Sequence, residues 1–264
     1  MAQRYFIELS FRGTEYCGWQ IQPNARSVQQ TIEEAMALLL KEKIRLTGAG
    51  RTDTGVHASY FAAHFDSMSL MPGSSGETLR KLNHMLPGDI AISGIFPVDR
   101  KTHSRFSATS RTYKYFISIR KNPFRQDTSY HLYPPPDIDA MNLAANELLR
   151  HSDFSSFCRS NSNVKTHICK IISASWKEHD GMLVFEVKAD RFLRNMVRAI
   201  VGTMLELGRG RINVTHFRDI ILAQDRRRAG TSAPAHGLFL TGIEYPEEIF
   251  EFRTGAPFNG AHLF

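Results

Sequence analysis

Segments of period two and segments of period 3.6 alternate along this 264-residue chain in an order that occurs twice, and that order is the strongest constraint on its fold. Residues 4–11 (RYFIELSF) alternate as a strand. Ser27-Val28-Gln29-Gln30 then has the S-x-x-Q form of a capping box, opening a helix whose apolar stripe is Val28, Ile32, Ala35, Met36, Leu39 and Leu40. Strand-like segments at 44–49 and 56–65, a helix over 77–86 with Leu79, Leu82, Met85 and Leu86 on one face, and a strand at 89–97 complete a β-α-β-β-α-β order. The second half repeats the elements without repeating the residues. It reads as a strand at 106–120, a helix at 137–150 entered through Pro134-Pro135-Pro136-Asp137, strands near 154–157, 168–178 and 182–189, helices at 193–207 and 214–224, and a strand at 237–244.

The economical architecture is α+β: two ferredoxin-like β-α-β-β-α-β halves whose antiparallel sheets join around a central active-site cleft. The expected division is 1–98 for the N-terminal half, 99–245 for the C-terminal half, and 246–264 for a tail without periodicity. Hydrophobic residues at 42% and charged residues at 22% fit an ordinary globular chain and exclude disordered, collagenous and coiled-coil classes.

The net charge is +7, and it is concentrated. Residues 99–127 hold eight basic and two acidic residues, and residues 188–228 hold ten and four, so the remainder of the chain is acidic. Two basic stretches on a globular chain are the footprint of a polyanionic partner, nucleic acid foremost. The three cysteines, Cys17, Cys158 and Cys169, have no C-x-x-C spacing, which indicates neither a disulfide framework nor a zinc ribbon. His167, Cys169 and Cys158 fall short of the four ligands a tetrahedral metal site needs, so no metal is expected. The Met1 to Phe6 stretch runs into a strand pattern, and no apolar run approaches bilayer length, so a cytoplasmic protein with no membrane partner is expected.

The densest punctuation is Gly48-Ala49-Gly50-Arg51-Thr52-Asp53-Thr54-Gly55-Val56-His57, three glycines around one carboxylate between two strand patterns. Glycine at that density brings backbone close to a ligand or to another segment. A dinucleotide fingerprint does not fit, because Asp53 stands where the third glycine belongs and a strand follows. Asp53-Thr54-Gly55 spells an aspartic protease motif, although Arg51 occupies the place of an apolar strand end. A third reading makes Asp53 a lone ionised nucleophile or base beside a cation, and a plain hairpin turn is the fourth.

A cation is available in Phe192 to Gly202, where Arg194 and Arg198 stand i, i+4 on an otherwise apolar helix. Arg198 there either meets a carboxylate or extends its stem to reach solvent. Tyr113 and Tyr115 share one face of a strand inside the first basic stretch, an arrangement suited to stacking an unpaired base and equally to sheet packing.

Together these motifs resemble the tRNA pseudouridine synthase A family. The likeness runs through Gly18-Trp19-Gln20-Ile21-Gln22, Gly50 to Ala58, Arg111 to Tyr115, Phe192 to Gly202 and Ala233-Pro234-Ala235-His236-Gly237-Leu238. The resemblance implies that Asp53 is the catalytic aspartate, that Arg198 pairs with it, and that Arg51 fills the space left by a flipped base. It implies further that Tyr113 stacks on the target uracil and that Leu238 lines the uracil pocket. A homodimer without cofactor or metal, isomerising uridines at positions 38 to 40 of the tRNA anticodon stem-loop, is the activity that follows. The chain departs from the family after His57-Ala58, where Gly-Gln is usual and Ser59-Tyr60-Phe61 stands instead. A non-catalytic RNA-binding module using the same basic surface is the alternative, and it would make Asp53 dispensable.

Overall fold

The computed structural model describes residues 2–71, 73–160, 162 and 164–253. The chain divides into two compact units, one formed by residues up to 109 and from 240 onward, the other by residues 110–239. Of the expected tail, residues 247–250 form a 3-10 turn and residues 254–264 lie outside the described residues. The fold is mixed α+β, with five α-helices among the described residues.

In the first unit, β1 (Gln3–Phe11) lies between β3 (His57–Ser67) and β4 (Ile90–Pro97), antiparallel to both. Residues 5–9 of β1 are all buried, so the apolar alternation read in the sequence belongs to a central strand covered on both faces. Helix α1 (Val28–Leu40) starts as its capping sequence implies, with Ser27 Oγ accepting from Gln30 N at 3.2 Å. The reciprocal half is absent: the Gln30 amide turns outward to Glu34. The expected strand at 44–49 shrinks to β2 (Thr47–Gly48). The reason lies in α1, where Glu33 accepts from Leu46 N and Gln29 donates to Leu46 O, so side chains take the groups a strand ladder needs. Helix α2 (Ser75–Met85) buries Thr78 and Leu82, while Met85, expected on the apolar face, is 44% exposed.

In the second unit, β5 (Ser110–Ser118) pairs with β8 (Met182–Ala189), which pairs in turn with β7 (Ile171–His179), all antiparallel. β5 is shorter than the 106–120 read from the sequence because the His103 ring holds residues 105 and 106 in a turn, accepting from both amides. A two-residue β6 (Tyr130–His131) joins β5 in parallel and was not visible in the pattern. Asp137 caps helix α3 (Ile138–Leu148) through Ala140 N. Residues 154–157, expected as a strand, instead make a 3-10 turn because Asp153 Oδ1 accepts from both the amide and the hydroxyl of Ser155. Helices α4 (Met196–Gly208) and α5 (Val214–Leu222) follow, and β9 (Leu238–Glu244) carries the chain back to the first unit.

Both units use one device to dock a helix on a strand. Asn83 of α2 donates to Ile92 O and accepts from Ile92 N, both at 2.8 Å, and Asn142 of α3 does the same at Trp176, at 3.1 and 2.8 Å. The carboxamide supplies one donor and one acceptor in the spacing of a peptide group, so it replaces a missing strand partner.

His64 on β3 is 5% exposed and accepts from Ser104 N at 3.1 Å. Burial first, then the positive charge of Arg4, brings its pKa down to about 4, against the ordinary 6.5. The native state therefore keeps this ring neutral where the unfolded chain would protonate it. Its contribution to stability is complete above about pH 6.5 and lost as the pH falls toward 4, amounting to about 2–3 kcal/mol. Urea midpoints measured across that window should fall in the parent and fall less in His64→Asn.

Candidate active site

The loop carrying Asp53 runs between β2 and β3 and is braced from three sides by residues 13–19. Trp19 N donates to Thr52 Oγ1 at 3.0 Å, Gly55 N donates to Tyr16 O at 3.3 Å, and Gly13 N donates to His57 Nδ1 at 3.0 Å. The last bond makes Nδ1 an acceptor, so the fully buried His57 ring carries its proton on Nε2 and anchors the loop's exit. Inside the loop, Val56 N closes a turn onto Asp53 O at 3.1 Å, with Gly55 at φ 77°. The brace is itself fixed to α1, whose first two amides, Val28 N and Gln29 N, donate to Gly18 O and Trp19 O. Trp19 packs on Phe61 with ring centroids 4.2 Å apart.

Gly18 is a point of close approach. Its φ is 97°, and a Cβ built there would lie 2.2 Å from Thr52 O. Only glycine allows both the left-handed backbone and that approach to the Asp53 loop. Within the loop Arg51 is exposed and Asp53 half-buried.

In the second unit, Arg198 sits in the first turn of α4 and Arg194 lies before it. The expected pairing of Arg194 and Arg198 on one helical face fails because Asn195, at φ 65°, breaks the backbone ahead of Met196 and leaves Arg194 exposed. Arg198 is half-buried and is held at both ends of residue 233: its Nε donates to Ala233 O at 2.8 Å, and Ala233 N donates to Arg198 O at 2.9 Å. The segment 229–238 follows α4 closely. A Cβ on Gly202 would lie 1.8 Å from Thr231 O, Gly230 N donates to Thr203 Oγ1, and Asn195 Nδ2 donates to Ser232 Oγ. Tyr115, buried on β5, donates its hydroxyl to Pro234 O at 2.8 Å, and burial raises its pKa. Leu238, 5% exposed, begins β9 directly beyond this clamp. Tyr113 on β5 is half-buried and meets Phe192 edge to face, with centroids 5.0 Å apart.

Arg226, one of the cations of the basic stretch 188–228, belongs to the same clamp. It donates to Ala229 O, Gly230 O and Ser232 Oγ. Arg227 chelates Asp225, drawing that carboxyl down to about 2. The departure from the family string is also structural. Ser59 and Tyr60 are buried, and Tyr60 donates to the buried carboxylate of Glu8, which Arg253 meets from the other side at 2.7 Å. Among the described residues no group of three or more His, Cys, Asp or Glu is arranged to hold a metal ion, and no helix is long and apolar enough to cross a membrane.

A family model described as tRNA pseudouridine synthase matches residues 144–246. Proteins named tRNA pseudouridine synthase A from Azobacteroides pseudotrichonymphae, Parabacteroides distasonis and Bacteroides fragilis are 48%, 50% and 51% identical over 248, 248 and 250 residues. Those alignments cover 94% of this chain in each case, and 99%, 98% and 99% of the relatives. On that likeness the chain is an isomerase of the pseudouridine synthase class. Within that class it belongs to the tRNA pseudouridine synthase A family.

Proposed function

We propose that this chain isomerises uridine to pseudouridine at positions 38, 39 and 40 of the tRNA anticodon stem-loop, acting as a cytoplasmic homodimer without a cofactor. The observation that carries this reading is the likeness to proteins named tRNA pseudouridine synthase A along essentially the whole length of both partners, with the Gly50 to Ala58 string unbroken. Each unit is read as a split β-α-β fold of ferredoxin-like type. The strand orders β4-β1-β3 and β5-β8-β7 support that reading.

Isomerisation breaks the bond from N1 to C1′, turns the uracil and joins C5 to C1′. The C5 proton leaves to solvent and N1 gains one. A base inside a helical stack cannot be turned, so the nucleotide must be extruded first. In this reading Asp53 is the catalytic carboxylate, and Arg51 fills the place of the flipped base. Arg198 pairs with Asp53 and keeps it ionised in a pocket closed by Tyr113 and Leu238, because an adjacent cation favours the charged carboxylate. The bond from Arg198 Nε to Ala233 O supports this role, since it fixes the guanidinium plane and directs the Nη groups. Bracing of the Asp53 loop supports it equally, because a carboxylate acting on a turning ring must stay in place while the ring moves.

The test is tritium release from tRNA labelled at uracil C5. A transcript with uridine at 38 to 40 should release label, and one with cytidine at all three positions should not. Continued release from the second transcript would overturn the positional assignment.

A further inference from the structure

The loop from Asp99 to Thr109 combines features that a purely structural connection does not need. It is bonded along almost its whole length. Lys101 N and Thr102 N donate to Asp99, Arg4 donates to Thr102 O, Ser104 N meets His64 Nδ1, and Ser104 Oγ donates to Thr47 O. The amides of Arg105 and Phe106 both donate to His103 Nδ1, while residues 103 and 107 exchange two further bonds. At the tip of this rigid loop Phe106 is 76% exposed. The backbone here is fixed and the ring is presented to solvent.

Behind Phe106 stands a ladder of rings that leads into the core. Its centroid is 4.4 Å from that of His103, His103 is 4.6 Å from the buried His64, and His64 stacks on the fully buried Phe6 at 6.4 Å. Burial pulls the pKa of both histidines down, so the ladder is neutral at physiological pH and offers ring faces rather than charge. The positive charge stands around it. The Arg105 guanidinium lies 5.6 Å from the Phe106 centroid, and Arg100 and Lys101 are exposed on the same loop. An exposed aromatic ring with cations beside it is the arrangement that stacks an unpaired base and holds its phosphate.

We propose that Phe106, backed by His103 and flanked by Arg105, is a stacking platform for an unpaired nucleobase of the RNA substrate, outside the Asp53 loop. This rests on tRNA being the substrate. A base stacked on a fixed ring forfeits little conformational freedom of the protein, which makes the contact effective, and it reads no sequence because every base has a face to offer. The platform therefore serves to hold the RNA, not to select the uridine.

The experiment measures the Kd of an unmodified tRNA transcript for the parent, Phe106→Ala and Phe106→Trp, each across a range of salt. Phe106→Ala should bind about 10-fold more weakly with an unchanged salt slope, because a ring and not a charge has been removed. Phe106→Trp should bind within about 3-fold of the parent, since the indole stacks at least as well. Trp19 and Trp176 are both buried, so the introduced indole is the exposed one, and its fluorescence should be quenched by RNA. Parent-like affinity in Phe106→Ala overturns the proposal. So does a loss of affinity that coincides with a changed sedimentation coefficient, which would make the ring a protein contact. If the parent itself neither binds tRNA nor releases tritium, the tRNA reading has failed; if the parent does both and Phe106→Ala binds equally well, only the platform falls.

Discussion

Asp53→Asn is expected to abolish tritium release, by on the order of 10⁴-fold or more, while tRNA affinity stays within about 3-fold of the parent. The two carboxylate oxygens become one oxygen and one amide nitrogen of nearly the same shape, so the loop has no steric reason to move. Its braces are the bonds from Trp19 N to Thr52, from Gly55 N to Tyr16 and from Gly13 N to His57, and none of them uses the Asp53 side chain. What disappears is the negative charge, and with it every role that requires a nucleophile or a base. Binding should persist, because affinity for RNA comes largely from phosphate neutralisation spread over many cations. Parallel measurement of Kd by filter binding and of tritium release decides the matter. Turnover close to that of the parent would remove Asp53 from the chemistry and place the catalytic group elsewhere; loss of both turnover and binding would mean the loop holds RNA rather than transforms it.

The elements that were legible in the sequence are those that their own residue pattern specifies. β1, α1, α3, β8 and β9 follow their periodicities closely because each is specified by its own pattern and, for α1 and α3, by a capping side chain. The misreadings come from side chains, near or distant in sequence, that take over backbone groups. Leu46 lost its strand to Glu33 and Gln29, and residues 105 and 106 lost theirs to the His103 ring. Periodicity carries no signal for such bonds.

The candidate site divides in the same way. Asp53 and Arg198 were conspicuous as charges in glycine-rich or apolar surroundings. The residues that position them were not. Thr52, Ala233, Ser232 and Arg226 act through backbone or hydroxyl contacts that only the folded chain brings together, and Arg226 in particular looked like one more surface cation in a basic run. Tyr60, a departure from the family string, belongs to a buried group with Glu8 and Arg253, residues 52 and 193 positions away along the chain.

Gly18→Ala is expected to damage both stability and turnover, and it separates positioning from chemistry because no reacting group is altered. The added methyl would stand 2.2 Å from Thr52 O, and the backbone at φ 97° is one an L-residue adopts only at a cost. The conformational strain is about 1–2 kcal/mol and the overpacking about 1–3, so a loss of about 2–5 kcal/mol should appear in urea midpoints. Thr52 O is backbone, and relief requires the loop to move as a body. A displacement of about 1 Å at Asp53 should reduce tritium release by about 10²-fold in protein that remains folded. Gly50→Ala is the matching control: it lies in the same loop, its Cβ would meet nothing within 4 Å, and its stability should stay within about 0.5 kcal/mol of the parent. Should Gly18→Ala retain full turnover at a normal melting temperature, the close approach of Gly18 to Thr52 would have no part in holding the aspartate, and the brace would reduce to the side-chain bond at Thr52 Oγ1, the bond from Gly55 N to Tyr16 O and the ring of His57.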